Sequence, residues 1–326
     1  MRVRLTRLFL ASVVALGLAA CSSNSSSTTP FVSIPSRGAL TYIALGDSLT
    51  AGWGSSLCGP PATLAAVCVT SPTQAGVASN LTDYSALVAQ SFNPTHSKVN
   101  YIPLGVGGAN TGGAPLRENP QSGDVLTNPA QIPALAGLVN SARSGGGKVF
   151  VSLLIGPNDV TDAVTTAQCL GDGGSPVGFG GATPIAQCMA SGTSLSDASG
   201  NVQNGSFYRG YLAVLNAIAA TNPDAVLVIG LPDASKTPRF TGAPASTIGA
   251  VNAFVQQANA AVRLALSASA LGSKATYFDS YAAGVANPLL YSSQFFSADG
   301  YHPNDIGYGN LASSIIPQIQ TAYPTL

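Results

Sequence analysis

One serine follows an apolar run in a way that could expose its hydroxyl at the edge of a sheet. Ser48 stands in Gly46-Asp47-Ser48, directly after the apolar residues 42–45. A serine attacks a carbonyl carbon when a base takes its proton, a third group orients that base, and donors stabilise the oxyanion. Gly-Asp-Ser alone is weak evidence, because all three residue types are common in turns. The other groups must therefore come from elsewhere in the chain.

The candidate base is one of only two histidines. His96 lies in a turn that precedes the second predicted strand, which is the wrong end of a sheet for this chemistry. His302 follows the fifth predicted strand, and Asp299 lies three residues before it. A carboxylate at that spacing can fix the tautomer of the imidazole. We therefore expect Asp299 to be the acid that works with His302, and Asp47 to be a turn residue.

Donors for an oxyanion are available in two further blocks and in the serine itself. Gly108 offers a backbone N–H that no Cβ obstructs, and Asn158 offers a side-chain amide. The N–H of Ser48 is the third candidate. Asp159, next to Asn158, is interpreted as a residue that braces its loop.

Five apolar runs alternate with helical patterns and must position these groups. The predicted strands are Thr41–Leu45, Val99–Leu104, Val149–Ile155, Ala225–Gly230 and Ala275–Phe278. Helical patterns follow at residues 84–92, 132–142, 207–220, 247–271 and 306–316, the last interrupted at its end by Pro317. This alternation predicts a single-domain, doubly wound α/β fold with a mostly parallel sheet. The loops at the carboxyl ends of the strands then converge on one edge, where ligands bind in such sheets.

Four blocks in this order resemble the SGNH, or GDSL, hydrolase family. They are Gly46-Asp47-Ser48-Leu49, residues 105–110, Gly156-Pro157-Asn158-Asp159 and residues 299–304, and they span most of the chain. The resemblance implies a flavodoxin-like three-layer α/β/α fold with a five-stranded parallel sheet. It implies a catalytic triad of Ser48, Asp299 and His302, and an oxyanion hole made by Ser48, Gly108 and Asn158. It also implies ester hydrolysis with no metal and no cofactor.

Composition argues against several other classes. The charged fraction is 8%, and no run of Lys or Arg suggests a nucleic-acid partner. Glu118 is the only glutamate, which makes a paired-glutamate glycosidase or a carboxylate-rich metal site improbable.

The N-terminus has the pattern of a targeting segment. Arg2, Arg4 and Arg7 precede the apolar run 8–20, which is too short to span a bilayer. The following Cys21 resembles the lipidated cysteine of a bacterial lipoprotein. We therefore predict a signal peptide at 1–20, a lipidated Ser/Thr-rich tether at 21–38, and a hydrolase domain at 39–326. A plain cleaved signal is the alternative. The predicted location is the cell envelope, with the membrane as a partner through the anchor.

Export makes disulfides the favoured interpretation of the four remaining cysteines. Three connectivities are possible. We favour the two local pairings, Cys58 with Cys68 and Cys169 with Cys188. A zinc site is the rival, but the spacings and the lack of a nearby histidine fit it poorly. Each local pair lies in one of two predicted insertions, near 54–80 and 161–206. The second is low in large apolar residues, which favours small or sugar esters over interfacial lipid hydrolysis.

The resulting hypothesis is an exported, lipid-anchored serine esterase that acts as a monomer on a small-molecule, lipid or glycan ester. A carbohydrate O-deacetylase or an acyltransferase could use the same residues. A non-catalytic binding lipoprotein of the envelope is the alternative from another class.

Overall fold

The structure, a computed structural model, describes residues 40–55, 82–92, 99–105, 109–111, 131–159 and 194–326. Cys21, Cys58, Cys68, Cys169, Cys188, His96 and Gly108 lie outside these residues, as do most of the two predicted insertions. All structural statements below concern the described residues.

Five strands form one parallel sheet in the order β2-β1-β3-β4-β5. They are β1 (Leu40–Gly46), β2 (Val99–Pro103), β3 (Lys148–Leu154), β4 (Ala225–Ile229) and β5 (Ala275–Phe278). The five predicted strands are thus confirmed, with ends that differ by one residue at most. The strand order is that of the flavodoxin-like fold, in which the chain reverses direction across the sheet between β1 and β3.

The central strands are apolar because both faces of the sheet are covered. In β1 every residue from Thr41 to Gly46 is buried, and β4 is buried throughout. Parallel sheets need such cover, because the connections place helices on their faces. Branched and aromatic side chains such as Ile43 and Phe150 then fill both layers of core.

Six α-helices lie wholly within the described residues and pack around the sheet. They are α1 (Tyr84–Phe92), α2 (Gln131–Ser144), α3 (Ser206–Ala220), α4 (Ala245–Ala268), α5 (Ser280–Ala286) and α6 (Asp305–Ala322). The sequence predicted α1 to α4 and α6. It did not predict α5 or the short 3₁₀ turns after it at Pro288–Tyr291 and Ser293–Phe295.

The helices divide between the two faces of the sheet. On one face, Ile43 and Val151 belong to a core that includes residues of α2, α3 and α4. On the other, Tyr42 and Phe150 share a second core with residues of α1 and α6. Alternate residues of a strand point to opposite faces, so one strand contributes side chains to both cores. The architecture is therefore the three-layer α/β/α arrangement expected.

The expectation that Pro317 interrupts the last helix is wrong. Helix α6 continues for five residues beyond it, to Ala322. Ile315 and Ile319, on either side of the proline, are both buried in the second core. The Gln318 side chain donates to the Tyr277 carbonyl, and the Tyr323 hydroxyl donates to that of Val226, each at 2.6 Å. These contacts with the sheet offset the one helical hydrogen bond that a proline removes.

No helix of the described residues is both long and apolar enough to cross a membrane.

Candidate active site

Ser48 lies in a tight turn at the carboxyl end of β1, which we name the serine turn (residues 46–54). The N–H of Ala51 donates to the Asp47 carbonyl at 2.9 Å, and that of Trp53 donates to the Ser48 carbonyl at 3.0 Å. These bonds wind the chain back on itself immediately after the strand. Ser48 retains 6% exposure, so its surroundings are largely dry.

Gly46 sets the direction in which the chain leaves β1. Its φ is +150°, and a Cβ placed there would lie 2.1 Å from the Leu154 carbonyl oxygen. The Gln131 side chain pins its backbone from both sides: Oε1 accepts from the Gly46 N–H at 2.9 Å, and Nε2 donates to the Gly46 carbonyl at 2.8 Å. Sequence reasoning did not find Gln131, since a residue 85 positions away leaves no local pattern.

Asp47 is a fully buried carboxyl within this turn. Its Oδ1 accepts from the Leu49 N–H at 2.9 Å, whereas Oδ2 has no hydrogen-bond partner among the described residues. Burial raises the pKa of Asp47 to about 8, with a smaller upward contribution from the charge of Asp159. The carboxyl is therefore mostly neutral at pH 7, which suits the turn role expected for it.

The second half of the site is a loop between β5 and α6, which we name the histidine loop (residues 297–304). An antiparallel bridge between Phe296 and Pro303 closes it. Within it, the N–H of Ser297 donates to the His302 carbonyl at 2.8 Å, and that of Gly300 donates to the Ser297 carbonyl at 3.0 Å. Gly300 has a φ of +68°, which allows the sharp reversal that the loop needs.

Within the histidine loop, Asp299 organises the backbone as well as the imidazole. Its Oδ1 accepts from the Ser297 hydroxyl at 2.7 Å and from the N–H groups of Tyr301 and His302 at 2.9 and 3.0 Å. Its Oδ2 lies 2.5 Å from Nδ1 of His302. Burial alone would raise the pKa of Asp299, but these hydrogen bonds and the charge of a protonated His302 hold it well below its usual range.

The two halves meet at a hydrogen bond between Ser48 and His302. The Nε2 atom of His302 lies 2.8 Å from the Ser48 hydroxyl oxygen. The three residues thus form one continuous chain from carboxylate to imidazole to hydroxyl. Neutral imidazole carries one proton, so with Nδ1–H donating to Asp299, Nε2 is free to accept from Ser48.

Two aromatic rings and a glycine fix the position of the imidazole. The rings of Trp53 and Tyr301 lie 5.6 and 5.3 Å from that of His302. A Cβ on Gly54 would lie 3.0 Å from the His302 Cβ and 2.5 Å from the Pro303 carbonyl oxygen. The close approach of the two segments therefore depends on Gly54. Sequence reasoning did not predict this place of Trp53 against the imidazole.

Of the predicted oxyanion donors, Ser48 and Asn158 are described. The Asn158 amide nitrogen donates one hydrogen to the Ala109 carbonyl at 2.8 Å. Since an amide nitrogen carries two hydrogens, the second remains for another acceptor. Asp159 is buried and accepts from the N–H and the hydroxyl of Thr111, at 3.0 and 2.7 Å. It thereby ties the loops after β2 and β3 together, as its predicted bracing role requires.

An apolar cavity of about 100 Å³ is lined in part by Tyr301 and Pro303 of the histidine loop. Its other lining residues include Leu49, Leu154, Phe278, Leu290, Phe296 and Leu311. Sequence reasoning missed this cavity, because it depends on α5 and on the 3₁₀ turns that follow.

Comparisons with solved structures return proteins of low sequence identity. LAE5, an alpha/beta hydrolase enzyme from the metagenome of Lake Arreo in Spain, is 14% identical, with coverage of 88% of this chain and 96% of that one and a TM-score of 0.45. A variant of Axe2, an acetyl xylan esterase from Geobacillus stearothermophilus, is 14% identical, with 87% and 95% coverage and a TM-score of 0.41. CEX, a two-domain esterase active on acetylated mannans, is 17% identical, with 88% and 50% coverage and a TM-score of 0.39.

No curated protein matches the chain. A family model does match, however, over residues 44–309, which contain all four sequence blocks and both halves of the site. The family that the sequence resembles is thereby confirmed. The chain belongs to the GDSL-like lipase/acylhydrolase family, and the protein is a serine hydrolase that acts on ester bonds.

Proposed function

We propose that the protein hydrolyses carboxylic esters through an acyl-enzyme on Ser48, with His302 as the base and Asp299 as its partner. The observation that carries this proposal is the continuous hydrogen-bonded chain from Asp299 through His302 to Ser48, at 2.5 and 2.8 Å. The 2.8 Å between His302 Nε2 and the Ser48 hydroxyl oxygen lies within the reach expected of a base and its nucleophile, and the carboxylate contact orients that base.

In the first half of the reaction, the Ser48 hydroxyl oxygen bonds to the ester carbonyl carbon while its proton passes to His302 Nε2. The tetrahedral intermediate then collapses, and the same proton goes to the departing alcohol. In the second half, His302 takes a proton from water, whose oxygen attacks the acyl-enzyme, and the proton returns to Ser48 as the acid leaves. The Asp299 carboxylate stabilises the imidazolium that forms in each half.

The oxyanion formed in each half requires donors aimed at it. The proposed donors are the N–H of Ser48, the N–H of Gly108 and the second amide hydrogen of Asn158. The bond from Asn158 to Ala109 supports this assignment, because it holds the amide in one orientation before substrate arrives.

The test is the replacement of the nucleophile. We expect Ser48→Ala to lower kcat for p-nitrophenyl butyrate by about 10⁴-fold or more, with thermal unfolding little changed. A fluorophosphonate probe should label the parent protein and fail to label the variant. Ser293→Ala, at an exposed serine of a 3₁₀ turn, is the control. Near-full activity in Ser48→Ala would overturn the proposal.

A separate measurement distinguishes hydrolysis from acyl transfer: the products are analysed with and without sugar acceptors.

We also propose that the chain is exported and anchored through lipid on Cys21. Support comes from the basic residues, the short apolar run and the Ser/Thr-rich segment that surround this cysteine. Cys21→Ser should move the protein from the membrane fraction to the soluble fraction. Retention of the variant in the membrane fraction would contradict the lipid anchor.

A further inference from the structure

The hydroxyl of Tyr308 joins the two halves of the site. Tyr308 is fully buried and lies in the first turn of α6, the helix that follows the histidine loop. Its hydroxyl donates to the Trp53 carbonyl in the serine turn at 2.6 Å. A buried tyrosine hydroxyl usually finds a partner, and this one bonds to the segment that carries the nucleophile. One side chain therefore connects the helix after His302 to the turn that contains Ser48.

Trp53 has contacts with both reacting residues. Its N–H donates to the Ser48 carbonyl at 3.0 Å, and its ring lies 5.6 Å from the ring of His302. The next residue, Gly54, lies so near that a Cβ on it would be 3.0 Å from the His302 Cβ. The backbone of Trp53 is thus held by hydrogen bonds at both its N–H and its carbonyl, while its side chain packs against the base.

The histidine loop is attached to the same helix turn through Asn304. Its Oδ1 caps α6 by accepting from the N–H groups of Ile306 and Gly307, at 3.0 and 3.1 Å. Its Nδ2 donates to the Phe296 carbonyl at 3.2 Å, and its own carbonyl accepts from the Tyr308 N–H at 2.9 Å. The turn of α6 that carries Tyr308 is therefore fixed relative to the loop that carries the base.

These contacts form a closed circuit, which runs from Ser48 through Trp53, Tyr308 and the start of α6 to His302. The hydrogen bond of 2.8 Å between His302 and Ser48 completes it. We propose that Trp53, held by the Tyr308 hydroxyl, is a positioning residue that keeps the imidazole where it takes the Ser48 proton. The inference rests on the proposed ester hydrolysis and adds two residues to its machinery.

The position of the imidazole matters because the proton moves only across a short distance. The Asp299 carboxylate holds one nitrogen of the ring, and the packed indole removes further freedom from it. An aromatic ring within about 6 Å also stabilises a cation. In the proposed reaction, His302 becomes a cation as it accepts the Ser48 proton. The contribution of Trp53 is therefore larger in the transition state than in the ground state, so its loss should lower kcat and leave KM little changed.

The first test compares two tyrosines of the same kind. The Tyr323 hydroxyl also donates to a carbonyl at 2.6 Å, that of Val226, but near the amino end of β4 and away from the reacting groups. Tyr308→Phe and Tyr323→Phe should both lower the free energy of unfolding in urea. Only Tyr308→Phe should lower kcat for p-nitrophenyl butyrate, by about fivefold, with KM nearly constant. Equal kcat in the two variants overturns the inference.

The second test removes the ring. Trp53→Leu should lower kcat about tenfold, and Trp53→Phe should lower it less, because a phenyl ring keeps an aromatic face. In the double variant W53L/Y308F, kcat should equal that of Trp53→Leu alone, since the hydroxyl acts through the ring. Full kcat in Trp53→Leu, or losses that multiply in the double variant, would contradict the proposed role.

The third test follows Trp53 itself, which is the only tryptophan of the chain. Acrylamide should quench its fluorescence more strongly in Tyr308→Phe than in the parent protein, and equally in Tyr323→Phe and the parent. Unchanged quenching in Tyr308→Phe would show that the hydroxyl does not hold the tryptophan. If Ser48→Ala abolishes activity while the Trp53 and Tyr308 variants keep full kcat, only this inference fails. If Ser48→Ala keeps near-full activity, the proposed function itself fails.

Discussion

The serine turn and the histidine loop each contain a buried or half-buried aspartate, and the two carboxyls have opposite electrostatics. Asp47 has no exposed surface, one of its oxygens has no hydrogen-bond partner among the described residues, and its pKa is raised to about 8. Asp299 accepts three hydrogen bonds on one oxygen and faces the imidazole with the other, and its pKa is lowered. The difference teaches that burial alone favours the neutral acid, and that donors are needed to keep a buried carboxylate charged.

The two segments also differ in what holds them. The serine turn depends on distant residues: Gln131 pins Gly46, and the Tyr308 hydroxyl donates to the Trp53 carbonyl at 2.6 Å. The histidine loop is organised mainly by its own carboxylate, which collects donors from residues 297–302. We therefore expect the turn to respond to changes in packing and the loop to changes in charge.

Exchanging each aspartate for asparagine tests the comparison most strongly. Asp299→Asn should lower kcat for p-nitrophenyl butyrate by about 10⁴-fold, because an amide does not stabilise the imidazolium and favours the wrong tautomer. Asp47→Asn should change kcat at pH 7 by less than about threefold, because a neutral amide replaces a carboxyl that is mostly neutral.

The control for this pair is the unfolding of both variants in urea at pH 7. Each should unfold cooperatively, so that lost activity reflects chemistry. Similar losses of kcat in the two variants would remove the distinction between a neutral turn acid and a charged partner.

The next largest effect is expected for Gly46→Ala in the serine turn. The added Cβ would meet the Leu154 carbonyl at 2.1 Å and the Thr50 hydroxyl at 2.3 Å, at a φ of +150°. The β1–β3 pairing ends at this point, so relief requires the two strands to separate. We expect a loss of about 2–4 kcal/mol in the free energy of unfolding.

Gly309→Ala is the matched control, because no described residue outside its own helical turn lies within 4 Å of a Cβ at that position in α6. It should leave the free energy of unfolding within about 1 kcal/mol of the parent value. If the two variants were equally stable in urea, the serine turn would not be fixed by packing in the way described.

Sequence reasoning predicted the strands and the convergence of Ser48, Asp299 and His302, because these follow from apolar periodicity and from the geometry of parallel sheets. It could not predict the hydrogen bonds of Gln131 or the position of Trp53. Such contacts join segments that are far apart in the chain, and they leave no periodic pattern in the sequence. The segment 280–296 has short turns and few apolar repeats, so α5 and the cavity were not foreseen. The sequence predicted that the last helix ends near Pro317, because helix propensity is a local preference. Packing against the sheet decides where α6 ends.

A further effect concerns the pH dependence of stability. The pKa of Asp47 is near 3.8 when unfolded and about 8 when folded. Between these values the folded state binds the extra proton, so stability falls as pH rises, at up to about 1.4 kcal/mol per pH unit. Asp47→Asn lacks this group. The difference in free energy of unfolding, variant minus parent, should therefore increase from pH 5 to pH 8. Urea unfolding at both pH values measures the difference. A difference independent of pH would show that Asp47 is not held neutral.

The smallest effect is expected for Ser297→Ala in the histidine loop. Its hydroxyl donates one of the hydrogen bonds that keep Asp299 charged. Loss of a bond of about 1 kcal/mol corresponds to about fivefold in rate. Because the carboxylate then loses one of the contacts that hold it beside the imidazole, we expect kcat to fall about fivefold and KM to change little. Ser293→Ala, outside the loop, should alter none of these quantities. An unchanged kcat would contradict this role of the hydroxyl and would show that the backbone N–H donors of the loop suffice to hold the Asp299 carboxylate in place.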